Sequence, residues 1–282
     1  MKILITGVAG FIGSNVAKYF ILNGHNVFGI DDLSNGHTKN IPEDVEFIKG
    51  DLSNQDIKNK LPLKCDYILH LAGQSSGEIS FDDPIYDIRT NAESTLLLLK
   101  FALKNDCYRF IYAGTMSVYG IKPDHPVDEK ETCMPQSFYG VAKLASEHYM
   151  RIYQQYGINS TSLRLFNVYG KNQPSGYFIS DMSDKIKNNQ TIKIDKSIRD
   201  FVNVNTVSRV INFIIMNDIL GIINVGSGRG YSLKSIINQI GVKLKMKPLL
   251  IVLNKKTKIV ADLKLLKEKG FKFKQNEKNL NI

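Results

Sequence analysis

Residues 6–13 read TGVAGFIG and place Gly7, Gly10 and Gly13 between two different periodicities. Ahead of them, ILIT at 3–6 is a short β-branched run of strand type. Behind them, FIGSNVAKYFILNG at 11–24 has helical spacing and stops at Gly24. A tight strand-to-helix turn needs freedom in φ, a close approach of backbone to a phosphate excludes a Cβ, and close helix–strand packing needs a small residue. The helix N-terminus that follows presents N–H groups suited to a diphosphate. NVFGID at 26–31 is the next strand and ends in Asp31, eighteen residues after Gly13. A carboxylate there accepts hydrogen bonds from adenosine ribose hydroxyls and repels a 2′-phosphate, so the expected cofactor is NAD rather than NADP.

Outward from this turn the alternation continues. Strands are expected at 45–51, 65–73, 108–115 and 159–170, and long helices at 87–105 and 137–157. Strands alternating with helices argue for parallel βαβ units, and short continuous apolar strands argue for a sheet covered on both faces. The expected fold class is α/β, a doubly wound parallel sheet of Rossmann type. Residues 1–170 form the cofactor domain, with 200–225 returning to it, and 171–282 form a small substrate-binding lobe. After Gly170 the pattern loosens into a helix near 177–190, short strands near TIKID and RDFVNV, a helix capped by Asn203 or Asn205, a glycine-rich turn after GIINV and a helix from Leu233.

Composition narrows the classes. Of the 282 residues, 43% are hydrophobic and 23% charged, which fits a globular protein and excludes disorder or collagen. Cys65, Cys107 and Cys133 have no CxxC or CxxH spacing, so no disulfide framework or metal site is expected. No apolar run approaches a membrane span, and the start MKILITG lacks a secretory h-region, so the expectation is a cytoplasmic protein without membrane partners. The net charge of +10 gathers in a tail with twelve lysines and three acids between Lys243 and Lys278. No nucleic-acid motif accompanies it, and a solvated lysine-rich surface is the better reading.

Tyr139 and Lys143 stand four residues apart on the helix at 137–157 and therefore share a face. An ammonium beside a phenol favours the phenolate, and a phenolate beside a nicotinamide can take a hydroxyl proton while hydride leaves the same carbon. The strand before this helix ends in AGTMSVYG, which offers the hydroxyls of Thr115 and Ser117 at the expected cofactor edge.

TGVAGFIG, IDDLSNG, GDL, HLAG, TMSVYG, YGVAK, LRLFNVYG, RDFVNV and INVGSGRGYS occur in this order over about residues 1–240. The chain resembles the extended short-chain dehydrogenase/reductases, in particular their NAD-dependent nucleotide-sugar epimerase/dehydratase group. The resemblance implies Thr115, Tyr139 and Lys143 as catalytic residues, with Ser117 a lesser substitute for Thr115. It places Gly7, Gly10, Phe11, Ile12, Gly13, Asp31, Asp51, Leu52, Leu71, Ala72 and Asn91 at cofactor contacts, together with Tyr139 and Lys143. It places Asn167 near a substrate diphosphate and Arg199 near the nucleotide, with Thr115, Ser117 and Tyr139 at the sugar.

Dehydratases of this group carry two acids after the threonine, one of which expels the C6 hydroxyl; here Met116 and Ser117 stand there. The reading is therefore epimerisation of a nucleotide-diphosphate sugar at C4, with a 4-dehydrogenase/reductase, a 4,6-dehydratase or a non-catalytic NAD-binding regulator as alternatives. The family's arginine-bearing RPGD segment is replaced by KPLLIVLNKKTKIVADL at 247–263, where Lys255 or Lys256 could supply the charge without the bidentate fork. Leu96, Leu97, Leu98, Leu99, Phe101 and Leu103 exceed one apolar stripe on the 87–105 helix. With Ala145, Tyr149, Ile152 and Tyr153 on the next long helix, they point to a homodimer.

Overall fold

The structure is a computed structural model that describes residues 1–121, 125–278 and 280. In chain order its elements are β1 (Lys2–Thr6), α1 (Phe11–Leu22), β2 (Asn26–Asp31), β3 (Val45–Lys49), β4 (Tyr67–His70), α2 (Ile79–Asp82), α3 (Pro84–Ile88) and α4 (Ser94–Lys104). Then follow β5 (Arg109–Thr115), α5 (Phe138–Gln154), β6 (Ser160–Leu165), β7 (Asn167–Tyr169), α6 (Phe178–Lys187), β8 (Thr191–Ile194), β9 (Ile198–Arg199) and β10 (Phe201–Asn203). The last are α7 (Val204–Met216), β11 (Gly221–Val225), β12 (Tyr231–Ser232), α8 (Leu233–Leu244), β13 (Leu249–Val252), β14 (Lys258–Ile259) and α9 (Lys264–Glu268).

Seven strands form one sheet in the order β3-β2-β1-β4-β5-β6-β11. From β3 to β6 every neighbouring pair is parallel. The order reverses at β1, so the loops leaving β1 and β4 diverge there and open a crevice at their carboxyl ends. The expected doubly wound sheet is thus present. β5 and β6 are buried along their whole length, and β5 accordingly reads as a run rather than an alternation. Leu4, Ile30, Ile68 and Phe110 of the strands pack with Leu98, Leu99 and Phe101 of α4 and Met150 of α5 in one core. Burial of a leucine such as the fully enclosed Leu99 stabilises the fold by roughly 1.5–3 kcal/mol.

The chain divides into two compact units. The first takes residues 1–120, 132–165 and 208–223; the second takes 121–131, 166–207 and 224–282. The excursion at 121–131 into the second unit has no counterpart in the sequence reading. In the second unit α6 and α8 pack on the β13–β8 pair through Ile179, Met182, Ile186, Ile192, Ile194, Ile236, Ile237 and Ile240. Two differences from the expected elements bear on function. The run 159–170 is two strands, β6 and β7, in separate units. The helix expected at 87–105 begins already at Pro84, with Asp83 capping Tyr86 N–H, and carries a π-turn at Arg89–Glu93. Such turns interrupt 3.6-residue spacing and gather at functional sites.

Candidate active site

The glycine turn is pinned to β2. Gly7 N–H donates to the Ile30 carbonyl (2.8 Å), and Ala9 N–H donates to Asp31 Oδ2 (3.0 Å). Gly7 has φ +69°, and a Cβ there would lie 2.8 Å from the Ala72 backbone nitrogen, so both conformation and space demand glycine. Gly13 backs directly onto the Gly7 carbonyl. Gly10 is the N-cap of α1 and brings no side-chain cap; a Cβ on it would meet only the Gly7 oxygen, at 3.2 Å. Phe11 is buried and Ile12 half-buried in the first turn of α1. Asp31 is 8% exposed and also accepts from Leu33 N–H (2.8 Å). Burial raises its pKa, and the Leu33 and Ala9 bonds work against that rise.

The exit of β4 is tied to β1 through a hydroxyl. Thr6 Oγ1 accepts from the Leu71 and Ala72 N–H groups (3.1 and 3.0 Å) and bonds His70 Nδ1 (2.8 Å). His70 is wholly enclosed, its Nε2 on Thr95 Oγ1 (3.0 Å), and burial, aided by the Lys143 charge, lowers it to about 3, so it stays neutral. Asp51 is exposed and folds onto Ser53, whereas the Leu52 side chain belongs to the core under the sheet.

Thr115, the last residue of β5, caps the 3₁₀ turn Met116–Tyr119. Its Oγ1 accepts from Ser117 N–H and donates to Ser117 Oγ, both at 3.2 Å, so the two hydroxyls sit together. Ser137 caps α5 by accepting from Gly140 N–H (3.1 Å), which places Tyr139 in the first turn and Lys143 one turn on. Tyr139 is 8% exposed and Lys143 4%. Lys143 Nζ donates to the Ala113 carbonyl (3.0 Å) and lies 4.7 Å from the Tyr112 ring centroid and 5.8 Å from that of Tyr139. Burial lowers Lys143 to about 8, and the Asp87 carboxylate pushes the other way. Farther along the same face Glu147 pairs with Arg164 (2.8 Å), whose guanidinium stacks 4.7 Å from the Tyr119 ring. That buried pair ties α5 to β6 and to the turn that Thr115 caps.

Asn91 stands in the π-turn, fully buried. Its Nδ2 donates to the Gln74 carbonyl and to Asp87 Oδ1 (both 3.1 Å), while its Oδ1 has no hydrogen-bond partner. Gln74 and Asp87 were not singled out from the sequence. Their one signal is the i, i+4 spacing of Asp87 and Asn91, which any helix can carry by chance.

In the second unit, Asn167 starts β7 and its Nδ2 donates to the Asp200 carbonyl (2.7 Å). Arg199 on β9 is half-buried, its Nη2 on Thr257 Oγ1 (2.7 Å) and its Nη1 on the Thr257 and Ile198 carbonyls. Lys255 and Lys256 are exposed in the adjoining loop, where the Lys255 carbonyl accepts from Lys196 N–H. Among the described residues no group of His, Cys, Asp and Glu could hold a metal ion. Nor is any helix of the described residues long and apolar enough to cross a membrane.

The first unit fits a nicotinamide dinucleotide. It offers a cradle without Cβ atoms at an uncapped helix N-terminus, a carboxylate at the end of β2, and an unpartnered buried amide oxygen near a buried ammonium. Taken with the reversal of strand order at β1, these define a dinucleotide-binding α/β protein. The model of the NAD dependent epimerase/dehydratase family matches residues 3–226, and the chain belongs to that family. A UDP-glucose 4-epimerase of Mycolicibacterium smegmatis is 34% identical over 221 residues, 73% of this chain and 71% of its own length. The solved UDP-glucose 4-epimerase of Thermotoga maritima, with UDP-glucose, is 30% identical with a TM-score of 0.90, covering 99% of this chain and 96% of that one. That of Thermus thermophilus, in complex with NAD, is 26% identical with a TM-score of 0.89, covering 96% and 94%.

Proposed function

We propose that this chain interconverts C4 epimers of a UDP-sugar with a bound NAD. The observation that carries the reading is the grouping of Thr115, Ser117, Tyr139 and Lys143 in one unit, with no carboxyl group at positions 116 and 117. Bound NAD would supply the hydride acceptor and donor. The Tyr139 oxygen takes the proton of the sugar 4-hydroxyl as C4 is oxidised, and returns it once the 4-keto sugar has presented its other face. Lys143 holds positive charge beside that oxygen, and Thr115 and Ser117 hold the 4-oxygen by hydrogen bonds. Dehydration needs an acid to protonate the leaving C6 hydroxyl, and Met116 and Ser117 bring none. Asp31, Asn91 and the glycine turn hold the cofactor, and Asn167 and Arg199 engage the nucleotide diphosphate. The relatives named as UDP-glucose 4-epimerases support the choice of UDP. Incubation with UDP-, GDP-, CDP- and dTDP-sugars, read by NMR of the products, tests it. A 4-epimer of a UDP-sugar is expected without net NADH; a 4-keto product, or a need for stoichiometric NAD(P)H, overturns it.

A homodimer is part of this reading. Ile85 and Ile88 of α3 and Phe138 and Val141 of α5 are exposed, with Phe81 of α2 against Phe138 at 5.4 Å. Leu98, Leu99 and Phe101 are buried within the chain, so the surplus apolar surface lies on these neighbouring helices as much as on α4. Such a face suits an isologous contact. Light scattering should give twice the single-chain mass of 31.8 kDa; the single-chain mass at micromolar concentration would refute the dimer.

A further inference from the structure

Asp87 is a fully buried acid on α3 whose Oδ1 accepts from Gln74 Nε2 (3.0 Å) and Asn91 Nδ2 (3.1 Å). Its Oδ2 is enclosed and has no hydrogen-bond partner. A brace between Gln74 and Asn91 needs only a neutral acceptor, which an amide oxygen supplies. A buried carboxylate is costly unless an opposite charge is near. The groups around it settle which charge that is. Gln74 and Asn91 are neutral, and Arg89 and Glu93 of the π-turn are exposed. Burial raises the Asp87 carboxyl above its ordinary value, and the Asn91 bond, the charge of Lys143 and the Gln74 bond work against that rise; Lys143 is itself 4% exposed. The other titratable groups facing Lys143 are His70 on β4, neutral; Tyr112 on β5, kept protonated by burial; and Tyr139 on its own helix. Asn91 links the two ends. Its Nδ2 is on Asp87, and its Oδ1 lies against the bare face of Gly73, where a Cβ would come within 3.4 Å of Lys143 Nζ.

We propose that Asp87 is the buried counter-charge of Lys143, a positioning residue that keeps the lysine an ammonium and holds Asn91 turned toward it. The proposal rests on the epimerase reading only for its kinetic consequence. Without Asp87, burial alone would act on Lys143, and its charge would be lost at a lower pH. An opposite charge at close range shifts a buried group by about 1–3 pH units.

The test is an NMR titration of the Lys143 ε-carbon in the full-length protein, with and without added NAD, the signal being assigned by its absence in Lys143→Met. The midpoint near pH 8 should fall by about one unit or more in Asp87→Asn, which keeps the acceptor and removes the charge. Asp87→Glu should hold it near the original value. In turnover, Asp87→Asn should lose about threefold in kcat at pH 7.5, recover toward the original rate at pH 6, and leave KM nearly unchanged. An unmoved midpoint in folded Asp87→Asn overturns the proposal, as does a loss of kcat equal at every pH. Should Asp87→Asn not fold, Lys143→Met must raise the titration of the Asp87 carboxyl carbon, and no rise overturns it. If the midpoint moves while no sugar is epimerised, the counter-charge stands and the epimerase reading fails.

Discussion

The two units of this chain are built on different physics. The first is a seven-stranded sheet with helices packed on it, held by parallel ladders and apolar burial. The second contains sheets of only two or three strands, several of them two or three residues long. There, one buried acid does much of the joining. Asp200, fully enclosed, accepts from Ser227 N–H (2.8 Å) and Oγ (2.6 Å) with one oxygen, and from Gly228 N–H (2.9 Å) and Ala261 N–H (3.2 Å) with the other. Asn224 adds a second tie, donating to the Val127 carbonyl (2.9 Å) beside the parallel bridge of Val127 to Ala261. In the first unit a functional side chain such as Tyr139 is expected to come away without loss of the frame. In the second a single polar side chain is part of the frame.

Tyr139→Phe should sharpen that contrast most. It deletes one oxygen from a buried side chain in the first turn of a capped helix, so melting temperature and NAD content should hold while turnover falls about 10²–10³-fold. Steady-state rates on the sugar substrate beside a thermal melt check it; a rate within a factor of two of the original would remove Tyr139 from the mechanism.

Asp200→Ala should do the opposite, since it strands four donors, of which the Ala261 N–H is buried. A loss of about 3 kcal/mol is expected, felt in the second unit. Hydrogen exchange should show lost protection near 224–232 and 257–263, with β1, β4 and β5 still protected. Uniform protection across both regions would mean that Asp200 is not what joins them.

A smaller effect, about 10–100-fold in NAD affinity, is expected for Asp31→Ala, with NADP discriminated less. Because Asp31 also accepts from Ala9 and Leu33, Asp31→Asn should recover part of the NAD affinity by keeping an acceptor for the turn. Calorimetric titration of both nucleotides measures this; equal binding of NADP to the unmodified protein would end the argument from charge.

Much of the first unit was legible in the residues. The glycine turn, Asp31, and the Tyr139–Lys143 spacing depend on local conformation and on fixed offsets along one helix or turn, which sequence carries directly. Gln74, Asp87 and Asn91 did not form a visible set, because the π-turn at Arg89–Glu93 breaks regular spacing and Gln74 arrives from the loop after β4. In the second unit, β13 and β14 fell within a stretch read only as a departure from family pattern, and α9 lies just beyond it in the lysine-rich tail. A two-residue strand such as β14 has no periodicity to read; its pairing with β9 exists in contacts across some sixty residues.

By itself, then, the sequence determined the alternation of strands and helices, the glycine-bearing turn after β1 and the tyrosine–lysine face of α5. These follow from steric limits on φ and from the two periodicities of the backbone. The tertiary structure alone decided that residues 121–131 join the second unit, that Asp200 knots strands distant in the chain, and that Gln74 meets Asp87 and Asn91 in the interior. Burial is the reason: the cost of enclosing a charge, and the partner that offsets it, are properties of the assembled interior and are written in no local stretch of chain.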